Sequence, residues 1–469
     1  MVLETSCSAD RPPNTTTRLM TGGGTQTTVL STLVEFRASD VAGMTNGVLI
    51  GPDVVLSGLD FDSRDLRSGS LFVALVAERD GHVFLADARS RGAKAALVDR
   101  HSPEGPETQV VVPDTLAALG RLANAMRAER LADATVVAVT GSVGKTSVKD
   151  LTAAVLGADR TWSNPRSFNN DQGLPYTIVN APADTRTLIL EMGMRGFGEI
   201  TRLCGIAAPD IGVVTRVGEA HTERLGGLEG VARAKGELVE ALSPSGTAVL
   251  NASDPMVWAM RHRTDASVVG FSGDSDVRAS DVVFDDIMCA SGVVRTPWGV
   301  APFRLGIPGA HMVDNALAAV TVAGVVDGSI DSALARLAVA RISDQRMTVH
   351  RTSEGSFVVD DTYNANPTSM EAALRALAGM TAARHVAILG PMAEVAEPEA
   401  AHRRVAAIAS ELDVVVIPVA TGLYGPDPVD NPIDEVVSRF GFGAEAVGVL
   451  VKASRSAGLE RIVRELLGT

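Results

Sequence analysis

The sequence predicts a three-domain protein of the α/β class, on three observations. The chain is 469 residues long, which at ~150 residues per domain leaves room for about three cores. Short β-branched runs alternate with Ala-rich helical stretches along most of its length, the pattern of parallel sheets with crossover helices. Hydrophobic residues make up 46% of the chain and aromatics only 4%, a composition of packed aliphatic layers rather than of disorder or a small aromatic barrel.

Charge and cysteine content exclude several functions. With 42 Lys and Arg against 56 Asp and Glu, the formal charge is −14. A polyphosphate backbone is repelled on average, so no nucleic-acid partner is expected, although a local basic cleft for one anionic metabolite is compatible with that charge. Cys7, Cys204 and Cys289 are odd in number and widely spaced, which fits neither a disulfide framework nor a CxxC metal site. Met1–Gly24 is rich in Thr, Ser, Pro and Gly and lacks the charged-then-apolar pattern of a secretory signal. No later run approaches the ~20 apolar residues of a membrane span. A cytoplasmic monomer with a disordered tail over residues 1–30 is the expectation.

The first domain, residues 31–133, is small and α/β: Ser70–Val76 reads as a strand, Phe84–Gly92 as a helix, Ala95–Val98 as a buried strand. Leu116, Leu119, Leu122 and Met126 recur at helical spacing within Leu116–Asp133. The second domain, residues 134–340, opens on Thr135–Thr140, a β-branched run suited to a central parallel strand. Strands are expected at Thr187–Leu190, Ile211–Thr215, Ala248–Leu250 and Ser267–Phe271, and helices at Leu228–Leu242, Asn315–Val326 and Ile330–Ala340. The third domain, residues 341–469, repeats the alternation through Phe357–Asp360, His385–Leu389, Val414–Val419 and Val447–Val451 and reads as Rossmann-like α/β. Gly22–Gly24 and Gly441–Gly448 lack a strand-then-helix context and read as tail and loop.

The strongest local signal is Thr140-Gly141-Ser142-Val143-Gly144-Lys145-Thr146-Ser147, directly after a buried strand and before the helical Val148–Leu156. A phosphate chain needs such an arrangement. Gly141 and Gly144 let the backbone approach, successive N–H groups and a helix N-terminus face the anion, Lys145 adds charge at the outer phosphates, and the Thr146 hydroxyl can ligate Mg²⁺. Position 139 is Val, so the strict GxxxxGK[ST] spacing is absent. The bland alternative is a glycine-containing strand-to-helix turn, but GK[ST] and its context coincide. The middle unit is therefore a central P-loop mononucleotide-binding α/β domain.

Weaker signals surround it. Glu191 ends a strand at the edge where open α/β sheets place ligands, and it reads either as a Mg²⁺ carboxylate or as a solvated strand end. His221 follows a buried strand through a short loop and reads as an ordinary loop histidine or a metal contact. Lys235 lies on the mixed-charge segment Glu229–Glu240 and, on its neighbours alone, is a solvated surface lysine. Arg346 likewise reads as a surface charge before it reads as a phosphate partner. Asp360–Pro367 closes a strand with acids and amides and could hold a ribose, or simply turn the chain. No Ser/His/Asp elbow, cysteine nucleophile or zinc-spaced cluster is apparent. The residues alone describe a Mg²⁺-dependent user of ATP.

Taken together, the motifs resemble the Mur ligases of peptidoglycan precursor synthesis, specifically the branch that adds D-alanyl-D-alanine. The resemblance covers nearly everything from about residue 50. It is carried by Asp62-Ser63-Arg64 with Gly69–Ala74, Thr140–Thr146, Ser167–Asn170 with Gly173–Pro175, Glu191–Gly193, and Gly218–His221 with Ala232–Glu237. It continues through Pro308–His311 with Asn315, Asp360–Pro367 and Val451–Glu460.

What the resemblance implies is ATP-driven amide synthesis through an acyl phosphate, joining D-alanyl-D-alanine to a UDP-N-acetylmuramoyl-tripeptide. It implies that Gly141–Ser147, with Lys145 chief among them, hold the triphosphate, and that Thr146 and Glu191 hold Mg²⁺. His221 and a carbamylated Lys235 would support a second metal. His311 and Asn315 would face adenine, Asp360 or Asp361 the ribose, and Arg346 the γ-phosphate. Ser63, Arg64 and His82 would lie on the uridine-diphosphate side, with Asn169, Asn170 and Arg195 on the muramoyl-peptide path and Asn364 and Asn366 also at substrate. Departures from the family pattern are Met312, Pro391 and Ala453, the last two in the amine-delivering domain. A related ligase with another amine or acid, or a noncatalytic nucleotide-binding homologue, are the alternatives they raise.

Overall fold

The computed structural model describes residues 34–165, 168–219, 222–352, 355–393, 395–442 and 446–468. The expected N-terminal tail, His221 and Ser167 lie outside these residues. Among the described residues no helix is long and apolar enough to cross a membrane.

In the first domain the strands lie side by side in the order Val48–Ile50, Thr108–Val111, Ala95–Val98, Leu71–Val73, Leu59–Asp60, all neighbours parallel except the first pair. Glu35–Arg37 and Val55–Ser57 form a separate antiparallel pair. The helix Thr115–Arg130 starts where the Asp114 carboxylate accepts the Ala117 N–H, and it buries Leu119, Leu122 and Met126. The expected helix near residue 84 divides into a single turn, Gly81–Phe84, and Leu85–Ser90.

The central sheet is six-stranded and wholly parallel, ordered Ser267–Phe271, Thr247–Asn251, Ile211–Val214, Thr135–Thr140, Thr187–Glu191, Thr161–Ser163. Thr135–Thr140 is internal, and burial on both faces is why it reads as an unbroken apolar run. Val148, Leu151 and Val155 of helix Lys145–Leu156 share a core with Ala316, Leu317 and Val320 of helix His311–Asp327.

A three-stranded antiparallel sheet, Arg278–Phe284, Cys289–Thr296 and Gly299–Pro308, was not expected. Its inner face is apolar, with Ala290, Val294, Phe303 and Leu305 buried. Register shifts between Ser280 and Val283 and between Cys289 and Ser291 break the two-residue period that would have announced it.

The third sheet is ordered Thr348–Arg351, Phe357–Asp360, Val447–Lys452, Arg384–Leu389, Val414–Pro418, parallel except for its first strand. The expected strand Val447–Val451 is present as Val447–Lys452, and it takes in Gly448, which the loop reading of Gly441–Gly448 also claims. A Cβ there would fall 2.5 Å from the Phe357 ring, so the glycine marks a close approach, not a turn.

The first and central domains are docked by two devices. The Asn180 side chain accepts the Leu59 N–H and donates to the Leu59 carbonyl, both at 3.0 Å, so it acts as a strand partner for Leu59–Asp60. Beside it Phe61, Phe168 and Tyr176 pack with ring centroids 5.4–5.7 Å apart, two of the three pairs edge to face. Asn180→Ala would leave both Leu59 groups buried and unpaired. The expected cost is about 1–3 kcal/mol, read as an earlier first transition in denaturant unfolding of the full chain.

Candidate active site

The turn Gly141–Gly144 joins the central strand to helix Lys145–Leu156 and is laid across the end of its neighbour Ile211–Val214. A Cβ on Gly141 would stand 1.8 Å from Thr215 Oγ1, and Gly144 has φ +83°, so both positions require glycine. Thr215 donates to the Val143 carbonyl at 2.6 Å, and the Ser142 N–H donates to the Arg216 carbonyl at 2.7 Å. The loop is thereby fixed before any ligand arrives. Lys145 Nζ lies 2.7 Å from the Gly141 carbonyl, folded over the turn.

Glu191 is buried, not solvated, at 2% exposure. Its Oε2 accepts the Thr146 hydroxyl at 2.6 Å, its Oε1 accepts Asn169 Nδ2 at 2.7 Å, and its backbone N–H donates to Asn164 Oδ1 at 2.6 Å. A hydroxyl and a carboxylate side by side at a phosphate turn are an oxygen donor set that suits Mg²⁺. No group of three or more His, Cys, Asp or Glu is placed to hold a metal among the described residues.

The structure corrects two readings taken from local sequence. Lys235, expected on a solvated face, is 2% exposed. Burial, and then the positive charge of Lys145, hold its amine well below the ordinary lysine range. Arg346, read as a surface charge, donates from Nη2 to Thr146 Oγ1 at 2.9 Å and lies over the Tyr363 ring, 4.2 Å from its centroid. Its Nε is buried without a partner.

Lys145, Thr146, Asn169, Glu191, Lys235, Arg346 and Tyr363 line one cavity of about 1240 Å³ between the central and third domains. His311 and Asn315 reach it from the start of helix His311–Asp327. Burial lowers the His311 pKa and favours neutral imidazole. Asn315 Oδ1 is beside Gly144, where a Cβ would meet it at 2.7 Å. Of the two acids offered for a ribose, Asp361 lines the cavity and pairs with buried Lys452 at 2.6 Å. Asp360 does not; its carboxylate accepts the N–H and hydroxyl of Thr362, and burial raises its pKa.

Asn169, Asn170, Arg195, Asn364 and Asn366 also line the cavity. Asn170 accepts the Gly173 N–H at 3.0 Å, and Asn366 caps helix Pro367–Gly379 through the Ser369 N–H, so both shape backbone as well. Ser63, Arg64 and His82 stand apart in the first domain. Arg64 forms a fork on Asp62, and Ser63 and then Arg91 hold the Asp87 carboxyl below the usual carboxylate range. His82 is buried, with Nδ1 2.6 Å from Asp80 and Nε2 accepting the Asp99 N–H. The residues overlooked in the sequence are Asn164, Tyr363 and Lys452. Lys452 carried a readable signal, a lone charge ending an apolar strand, the same pattern that singled out Glu191.

Comparison with known proteins gives a consistent set of similarities. Residues 139–323 match the Mur ligase middle domain, and residues 345–467 match the Mur ligase, glutamate ligase domain. A UDP-N-acetylmuramoyl-tripeptide–D-alanyl-D-alanine ligase of Mycobacterium tuberculosis is 36% identical over 93% of this chain and 98% of its own. A crystal structure of MurF from Acinetobacter baumannii superposes with TM-score 0.85 at 26% identity, covering 93% of this chain and all of that one. MurF ligase from Thermotoga maritima in complex with ADP does so with TM-score 0.74 at 25% identity, over 88% and 98% of the two chains.

The buried Lys235 amine has a thermodynamic signature. Its pKa is depressed on folding, so the unfolded chain binds more protons and stability rises with pH toward the ordinary lysine range. Lys235→Met should therefore be more stable than the unmodified protein at pH 7, by roughly 1–3 kcal/mol. The gain should shrink as pH approaches that of a free lysine. Denaturant melts across pH in carbon-dioxide-free buffer measure it, and a pH-independent difference would contradict it.

Proposed function

The chain belongs to the Mur ligase family, and from that premise we propose that it joins D-alanyl-D-alanine to UDP-N-acetylmuramoyl-tripeptide, converting ATP to ADP and phosphate in cytoplasmic peptidoglycan precursor synthesis. The observation that carries the reading is the meeting of Lys145, Thr146, Glu191, Lys235 and Arg346 at one cavity between two domains. The names of its relatives, and the ADP held by the Thermotoga maritima structure, support the substrates.

The chemistry explains the need for ATP. A carboxylate is a poor electrophile with a poor leaving group. In the first step a tripeptide carboxylate oxygen attacks the γ-phosphorus, the bond to the β-phosphate oxygen breaks, and ADP departs, leaving an acyl phosphate. In the second, the free amine of the dipeptide attacks the acyl carbon and inorganic phosphate leaves with the C–O electron pair. Two anions must meet in the first step, so the site has to offset their repulsion. Lys145 and the backbone N–H groups of Val143, Gly144 and Lys145 bind the phosphate chain, and Arg346 donates toward the transferred group. Thr146 and Glu191 would hold Mg²⁺, which when bound supplies further neutralisation of the phosphates.

Lys235 enters as a modified residue. A buried, deprotonated amine is the form that adds carbon dioxide, and the product is an anionic carbamate whose charge Lys145 favours. As a carbamate, Lys235 would help to hold a second divalent cation, which an ammonium would repel. His221, outside the described residues, is proposed as its partner there. Asn169, Asn170 and Arg195 lie on the path of the peptide, and Ser63, Arg64 and His82 shape the far end that takes the uridine diphosphate.

Incubating the purified protein with ATP, Mg²⁺, the UDP-muramoyl-tripeptide and D-alanyl-D-alanine should yield the pentapeptide, identified by mass, with one ADP per amide. Lys145→Ala should lower kcat/KM at least about 100-fold, and Lys235→Ala should be inactive even in excess bicarbonate. Product from a different amine or acid, with none from this pair, would reassign the substrate.

A further inference from the structure

Behind the phosphate turn, on the side away from the cavity, lies a buried ammonium that the proposed reaction does not use. Lys149 sits one turn beyond Lys145 on the same helix, at 2% exposure. Its Nζ donates to the Asn164 carbonyl at 2.9 Å and stands 3.1 Å from Asp150 Oδ1. A cation that deep is costly unless paired, and a Met of the same length would fill the space without that cost. What the ammonium holds is therefore informative.

Asn164, itself 1% exposed, is a junction. Its Oδ1 accepts the Glu191 N–H at 2.6 Å, and its Nδ2 donates to the Phe168 carbonyl at 2.6 Å. Phe168 directly precedes Asn169, whose amide is bonded to the Glu191 carboxylate. On the other side, Asp150 Oδ2 accepts the Ser343 N–H at 2.8 Å and its hydroxyl at 2.6 Å. Ser343 belongs to the connection between helix Asp331–Leu337 and strand Thr348–Arg351, three residues before Arg346.

We propose that Lys149 is a positioning residue of the ligase site. It clamps the Asn164 backbone, and through the Asn164 amide the Glu191–Asn169 edge, to the phosphate-binding helix, and through Asp150 it ties that edge to the linker carrying Arg346. This rests on the reading of the site as an ATP and Mg²⁺ site. Without the ammonium the Asn164 carbonyl is orphaned, and the Glu191 carboxylate loses the register that sets it against Thr146. The loss falls on the divalent-ion-dependent part of nucleotide binding, because the backbone donors of the turn are held independently by Thr215 and Arg216.

ADP titrations of the full chain, by calorimetry in MgCl₂ and in EDTA, separate these effects. The unmodified protein should bind more tightly with Mg²⁺; if it does not, the reading of the site fails before Lys149 is in question. In Lys149→Met the affinity in EDTA should stay within about twofold while the gain from Mg²⁺ falls about tenfold, and Lys149→Arg should recover part of it. Equal losses with and without Mg²⁺, or none, would overturn the proposal. Should Lys149→Met fail to fold, Asn164→Ala carries the same expectation with the ammonium and its carbonyl left in place. An unchanged Mg²⁺ gain in that variant likewise overturns the proposal.

Discussion

The site is organised around one buried carboxylate. Glu191 ends the strand Thr187–Glu191 out of contact with solvent, and a carboxylate in that position is tolerated only if each oxygen finds a donor. One donor is the hydroxyl of Thr146 on the phosphate-binding helix, and the other is the amide of Asn169 on the segment leading to helix Gly173–Val179. Satisfying one acid therefore forces three stretches of chain, far apart in sequence, to converge. The same demand leaves a hydroxyl and a carboxylate pointing at the place where a phosphate-bound cation belongs.

Around that acid the charges are graded. Lys145 and Arg346 keep guanidinium or ammonium groups beside the turn, while Lys235, deeper and next to Lys145, has its charge suppressed by burial and by that neighbour. Across the cavity Lys452 and Asp361 neutralise one another. The phosphate turn thus offers positive charge and N–H groups to an anion, while on the opposite wall Asp361 and Lys452 are satisfied by each other.

How much of this was legible depends on how local each signal is. The turn Gly141–Gly144 and its flanking strand and helix could be read directly, because the glycines, the lysine and the β-branched run are consecutive. Glu191 stood out as a charge at the end of an apolar run. Lys235 and Arg346 were misread from their neighbours, since a lysine on a mixed-charge helix looks solvated until tertiary packing covers it, and only the family resemblance placed them at the site. The antiparallel sheet from Arg278 to Pro308 escaped because its bulges reset the alternation on which strand reading depends. Asn164 gave no signal at all, as its role consists of two hydrogen bonds to residues 4 and 27 positions away.

Both parallel sheets aim their carboxyl ends at the same cavity: Gly141 and Glu191 follow or end strands of the central sheet, and Asp361 and Lys452 do so for the third. In open α/β sheets that edge is where loops diverge and ligands enter. Two such edges facing each other make a site that neither domain completes alone. The first domain is joined differently, through the Asn180 clasp and three packed rings. The seam that carries the chemistry is bridged instead by the Arg346–Thr146 and Ser343–Asp150 hydrogen bonds, and Lys149, beside Asp150, sits where that bridge meets the segment that holds the carboxylate.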